Sequence, residues 1–192
     1  MKYFKVIFSL LVTVSLIYIL NHKQGVAPPF GKFLNPFNGF WQNAEDAKAL
    51  KDNQLKLSGL KDEVKVYFDD RLVPHVFAKN DNDLYFMQGY ITAKYRLWQM
   101  EISTHSAAGR ISEVVGEKAL ESDRMMRRIG MVTGAENAEK YIEQDTASQK
   151  LIQSYCDGIN AYIKTLKPKD YPIEYKLLDY APEEWKPIKV AL

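Results

Sequence analysis

From Val6 to Leu20 no side chain carries a charge, and Lys2 and Lys5 stand before the run. As a helix these residues measure ~22 Å at ~1.5 Å per residue, short of the ~30 Å hydrocarbon core of a bilayer. That length suits the apolar stretch of a signal peptide. No A-x-A cleavage pattern follows it; the chain continues Asn21, His22, Lys23. With Tyr3 and Phe4 at one end and lysines at both, residues 1–23 are expected to be a signal peptide or, more so, a retained signal-anchor.

The next stretch, 24–43, holds three prolines, three glycines and five large aromatics. Proline and glycine exclude a long helix there, and the expectation is an extended linker. Residues 44–56 are expected to form a short solvated helix, and the linker region as a whole runs over 24–61. Beyond it Val64, Val66 and Phe68 alternate with Lys65 and Tyr67, the period of a half-buried strand. Asp69 to Arg71 make a turn into a second extended run, Val73 to Ala78, where Pro74 implies an edge.

Helical spacing takes over from Asp83 to about Ala107, through Leu84, Met87, Ile91, Leu97, Trp98 and Ile102. Asn80 to Asn82 offer caps, and Gly89 inside the helix implies close packing on a neighbour. Ile111 to Val115 predict a short turn closed by Gly116, and residues 119–144 two helical pieces. Ser148 to Leu166 is the clearest helix, with Leu151, Ile152, Tyr155, Ile159, Tyr162, Ile163 and Leu166 on one stripe. Two Pro- and aromatic-rich segments follow, and Val190-Ala191-Leu192 look like the start of another helix, so truncation is expected there.

Composition narrows the function classes. The net charge is +2 from 26 basic and 24 acidic side chains, and removing Lys2, Lys5 and Lys23 leaves 23 against 24. An electrically balanced body lacks the basic stripe that nucleic acid requires, so no nucleic-acid partner is expected. A single cysteine, Cys156, excludes an internal disulfide and a Cys-cluster zinc site, and it is read as a small buried residue.

Chemistry-bearing candidates are few. No G-x-S-x-G, H-E-x-x-H, Walker loop or G-x-G-x-x-G occurs. Glu101 and His105 lie four apart on one helix face, where they supply two of the three or four ligands zinc needs; a hydrogen-bonded surface pair is the preferred reading. His75 is read as a donor that fixes its turn rather than as a base. Arg124, Arg127 and Arg128 beside Glu121 and Asp123 are read as ion pairs or a solvated face.

A longer pattern carries more. Asp69, Val73-Pro74-His75-Val76 and Ala78 are followed by Asp83-Leu84-Tyr85-Phe86-Met87-Gln88-Gly89-Tyr90, then Arg96-Leu97-Trp98-Gln99-Met100-Glu101. Ala107-Ala108-Gly109-Arg110-Ile111-Ser112-Glu113, Asp157-Gly158, Asn160-Ala161 and Pro182-Glu183-Glu184-Trp185-Lys186-Pro187 continue it. In order and spacing, residues 62–192 resemble the α-chain region of the penicillin acylase (penicillin amidase) family.

The resemblance implies an N-terminal-nucleophile hydrolase acting on linear acyl amides, with antibiotic β-lactam side chains and N-acyl-homoserine lactones among the candidate substrates. The fold expected is α+β: this segment mostly helical with a short N-terminal β-hairpin, part of an αββα fold completed by a missing β chain. In that family the precursor cuts itself into two chains, and the serine that then begins the β chain attacks the amide with its own α-amine as base. The nucleophile and the calcium ligand that the α chain gives fall beyond Leu192, so neither a catalytic nor a metal-binding residue is carried over to this chain. Arg96, Gln99, Glu101 and Arg110 are taken as buried scaffold pairs, and His75 as a further scaffold candidate. Partners expected are the β chain of the same precursor, a small acyl-amide substrate and, through the leader, the membrane; calcium belongs to the full-length enzyme. The location expected is exported, periplasmic or membrane-anchored, and the alternative reading is a membrane-tethered helical interaction module without catalysis.

Two positions depart from the family pattern. Leu72 stands where a glycine is common, so the turn must avoid positive φ or be strained. Lys189 stands where an acid is usual near a helix start, so a cap is expected to be lost.

Overall fold

The computed structural model describes residues 2–24, 27–44 and 54–192. The helix expected within 44–56 therefore lies mostly outside the described residues, and Ala44 and 54–56, which are described, are not helical. Two units are present: Met1–Lys48 with Leu166–Ala181, and Ala49–Thr165 with Pro182–Leu192.

In the first unit, α1 (Lys2–Asn21) extends past the uncharged run at both ends. Its 20 residues measure ~30 Å, enough to cross a bilayer, and its segment Tyr3–Asn21 is unburied with a mean hydropathy of 2.1. A signal sequence near the N-terminus has the same character. At its end the Asn21 amide and the His22 Nδ1–H donate to the carbonyls of Ile17 and Tyr18 at 3.0 and 2.8 Å, closing orphan acceptors of the last turn.

The stretch read as extended is instead folded into tight turns. A short helix α2 (Phe30–Phe33) starts after Pro29, and a 3₁₀ turn covers Phe40–Asn43. Proline forbids a long helix but is suited to the start of a short one. Phe33 stacks on Phe40 at 5.2 Å, giving these aromatics partners within the turns. Lys176 ties this region to α8 (Ile173–Leu178), donating to the carbonyls of Gly39 and Lys169 and to the Asn43 side chain at 3.1, 2.8 and 2.6 Å. Lys32 pairs with Asp179 at 2.9 Å.

The second unit opens with an antiparallel hairpin, β1 (Lys65–Phe68) and β2 (Pro74–Phe77), in register Lys65 to Phe77 and Phe68 to Pro74. Asp69 organises its turn by accepting the N–H groups of Arg71 and Val73 at 2.9 and 2.8 Å. Leu72 sits in that turn at φ +61, so the strained alternative is the one the chain takes.

Asn80 caps α3 (Asp81–Ala108), accepting the N–H of Asp83 at 2.9 Å. The Asp83 carboxylate, itself buried, receives the N–H groups of Lys61 and Asp62, both at 2.9 Å. Gly109 in the left-handed region ends α3, with α4 (Ser112–Val115), α5 (Leu120–Ile129) and α6 (Met131–Ile142) following. Asp145 then caps α7 (Thr146–Ile163), and α9 (Pro187–Ala191) begins on Pro187.

The core of this unit is the long contact between α3 and α7. Phe86, Ala93 and Leu97 from one helix and Cys156 and Ile159 from the other are buried. The hairpin covers Met87, Tyr90 and Ile91 with Val66 and Val76. Burial pushes the Cys156 thiol up to about 12, which keeps it protonated and inert as a nucleophile.

Candidate functional site

Charged groups converge where α3 ends and the segment 182–192 crosses it. Glu101 and His105 are one helical turn apart and each only 1% exposed, so the surface pair expected from their spacing is in fact buried, in line with the scaffold reading of Glu101. The reason is a partner 82 residues on from Glu101: the chain returns at Pro182 and lays Glu183, Trp185 and Lys189 over this face of α3.

Asn160 on α7 fixes that return. Its side chain accepts the Trp185 N–H at 2.7 Å and donates to the Trp185 carbonyl at 2.8 Å, pinning one residue of an irregular segment by both backbone groups. Glu183 is held from two sides, for its N–H donates to Glu101 Oε2 at 3.3 Å and its carboxylate takes Arg110 Nη2 at 2.7 Å. Arg110 reaches this position because Gly109 turns the chain back, with the Arg110 N–H donating to the His105 carbonyl at 2.8 Å. Its guanidinium also grips Glu113 through Nε and Nη2, at 2.7–3.1 Å. Those bonds, first to Glu113 and then to Glu183, raise the Arg110 pKa further, while the Arg110 fork holds the Glu113 carboxyl below its ordinary range.

Lys189 closes the cluster. Its ammonium lies 2.8 Å from Glu183 Oε2 and 3.2 Å from Glu101 Oε1, and 5.2 Å from the centre of the Trp185 ring. The α9 start has no side-chain cap, as expected from the missing acid, and the lysine found there serves the acid pair instead. His105 Nδ1 donates to the Glu101 carbonyl at 3.0 Å, which aims Nε2 at Glu183 Oε1, 3.6 Å away. Beside the cluster opens a cavity of about 740 Å³ walled by Arg110, Arg127, Glu183, Ile188 and Lys189.

Of the residues singled out from sequence, the structure brings Glu101 and Arg110 together through Glu183. Arg96 and Gln99 are not buried: they lie on the exposed face of α3, with Arg96 Nη1 3.4 Å from Gln99 Oε1. Their positions on the helix turn them away from α7, whereas Leu97 one residue on is buried. His75 is exposed in the hairpin, 3.5 Å from Asp69 Oδ2. Arg127 donates to the Gly109 carbonyl at 2.9 Å, and Arg124 pairs with Glu121. Asp123, read with its arginine neighbours as part of ion pairs or a solvated face, is buried and accepts the N–H groups of Ile111 and Ser112 at 2.9 and 2.8 Å. Sequence reasoning missed Glu183 and Lys189 as partners of Glu101, since only a contact distant along the chain joins them.

Three carboxylates, an imidazole, an ammonium and a guanidinium form the anchor for the segment 182–192. The set does not fit calcium, which takes six to eight oxygen ligands, because it presents a nitrogen and its acids are already matched by Lys189 and Arg110.

Comparison with known proteins gives a consistent result. A family model described as penicillin amidase matches residues 63–192. The penicillin acylase 2 proenzyme of Pseudomonas sp. (strain SE83) is 35% identical over 138 residues, covering 69% of this chain and 17% of the relative. An acyl-homoserine lactone acylase, QuiP of Pseudomonas syringae pv. tomato, is 33% identical over 136 residues, covering 71% of this chain and 16% of the relative. A solved structure of a thermostable penicillin G acylase from Alcaligenes faecalis superposes with a TM-score of 0.60 at 29% identity, covering 67% of this chain and 68% of that one. The chain thus spans about a sixth of the length of its curated relatives.

Proposed function

Because the chain belongs to the penicillin amidase family, we propose that it is the N-terminal part of an enzyme that hydrolyses linear acyl amides. The observation that carries this is the family match over 63–192 together with the similarity to acylases of two kinds, one named for penicillin and one for acyl-homoserine lactones. The bond common to those two names is an acyl amide, so the reading rests on the shared bond and not on either leaving group.

In this reading a serine outside the chain attacks the amide once processing has freed its α-amine to act as base. Backbone donors around it, also outside the chain, stabilise the oxyanion. What this chain contributes is scaffold: the α3–α7 pair and the charge cluster that fixes the segment 182–192. No step is assigned to calcium. The apolar helix α1 directs export and stays attached, so the chain works on the far side of a membrane.

The test is to express the complete reading frame and assay it against a phenylacetyl anilide and a long-chain acyl-homoserine lactone. A self-cleaved protein whose second chain begins with serine, active on at least one of these, supports the proposal. An uncleaved protein inactive on both favours a membrane-tethered binding module. Sequencing the protein from the membrane fraction is expected to give Met1 as its first residue, and a start near Pro28 shows a cleaved leader.

A further inference from the structure

We infer that Glu101, His105 and Glu183 form a latent transition-metal site whose resident cation is the ammonium of Lys189. The ligand atoms of the three side chains lie within 4.8 Å of one another, close enough to share one ion. Glu101 and His105 are buried and Glu183 is mostly covered. A cation is already seated among them, for Lys189 Nζ touches both carboxylates at 3.2 and 2.8 Å.

The surroundings are those that orient metal ligands. His105 donates from Nδ1 to a backbone carbonyl, which leaves Nε2 as the nitrogen facing the acids; metal-bound histidines are held by such a bond. Glu183 is braced by Arg110, and Glu101 by the Glu183 N–H. One imidazole and two carboxylates suit zinc and its neighbours, and three protein ligands leave a fourth position. Lys189 and Glu183 also line the 740 Å³ cavity, so water has a path to that position and the lysine side chain has room to leave it.

Two like charges stand against a metal here, Arg110 on Glu183 and the tethered ammonium on both acids, and the ammonium is the one seated among the ligands. A free ion must displace a like charge that is held in place by its own backbone, whereas the lysine gives up nothing by staying. The site is therefore closed to zinc in the natural sequence and opens when Lys189 loses its charge. This holds whatever reaction the whole protein performs.

The experiment uses the intact chain with Lys189→Met and, as a second variant that keeps an amide donor toward the carboxylates, Lys189→Gln. Zinc affinity is measured by titration calorimetry, zinc-dependent melting by scanning fluorimetry, and ligation by the visible spectrum of cobalt(II). Both variants are expected to bind zinc on the order of 100-fold more tightly than the natural chain, as follows from removing a like charge at contact distance. Their melting temperature rises with zinc, cobalt gives a visible absorption band, and adding Glu101→Gln abolishes both responses. A variant that folds only when zinc is supplied also supports the inference. Folded variants indifferent to zinc overturn it, as does a natural chain that binds zinc equally well, a response that survives Glu101→Gln, or failure of both variants to fold with and without the metal.

Discussion

Gly89 on α3 and Gly158 on α7 each press against the backbone of the other's helix: a methyl group at Gly89 would overlap the Tyr155 carbonyl, and one at Gly158 the Phe86 carbonyl. The contact is between main chains, which cannot step aside as a flexible side chain can. Gly89→Ala and Gly158→Ala are each expected to destabilise the protein by about 1–3 kcal/mol, overpacking outweighing the better helix propensity of alanine. Gly134 on α6 has nothing within 4 Å of such a methyl group. There the same substitution is expected to stabilise by about 0.5–1 kcal/mol. Urea melts of the three variants check the contrast in sign.

Leu72 is exposed and holds φ at +61. A left-handed conformation costs a branched L-residue roughly 1–2 kcal/mol, part of which glycine returns through its greater freedom when unfolded. Leu72→Gly is expected to stabilise by about 0.5–1 kcal/mol net. Thermal denaturation reads this directly, and a melting point unchanged or lowered removes strain as the explanation.

Asp83 and Asp123 are buried carboxylates on backbone donors. Desolvation pulls both upward in pKa, but the donors outweigh it and leave both below the ordinary value: Lys61, Asn80 and Asp62 for Asp83, and Ser112 and Ile111 for Asp123. A depressed folded-state pKa means the unfolded chain binds more protons in the acid range, so stability rises with pH there. Each contribution is complete above ~3.9, the unfolded aspartate value, and is lost as pH falls through the folded one. Asp123→Asn is expected to cost about 1–3 kcal/mol at pH 7 and to flatten the acid limb of the stability curve. Urea melts between pH 2 and pH 7 test it, the prediction being that the two proteins converge at the acid end.

Arg110 bridges Glu113 and Glu183 with a planar fork that lysine cannot reproduce. Arg110→Lys keeps the charge and is expected to lose about 1–2 kcal/mol, the worth of one or two charge-assisted hydrogen bonds. A double-mutant cycle with Glu183→Gln isolates the coupling, which vanishes if the two side chains act independently.

How far the sequence could be read depended on whether a signal was local. The α3–α7 pair was legible because apolar residues repeat at helical spacing and Gly89 interrupts them. The hairpin was legible from the alternation at Val64, Val66 and Phe68, and residues 119–144 were legible as two helical pieces. Cys156 was legible as a small buried residue. The turns of 30–43 were not, because proline content says where a long helix cannot run and does not choose between an extended chain and a tight turn. The cluster was half legible: Glu101 and His105 share a helix face, but their burial comes from Glu183 and Lys189, 82 and 88 residues from Glu101. No periodicity spans such a distance. Arg96 and Gln99 were misplaced for a related reason, since their density in a motif says nothing of which side of the helix they occupy.

The unit that contains α1 is joined from distant parts of the chain, and the Lys32–Asp179 pair links residues 147 positions apart. A ribosome adding about 5–20 residues per second needs roughly 7–30 s to cover that distance. During this interval α1 has been made while α8 does not yet exist. An apolar N-terminal helix is therefore complete well before the contacts that finish its unit can form.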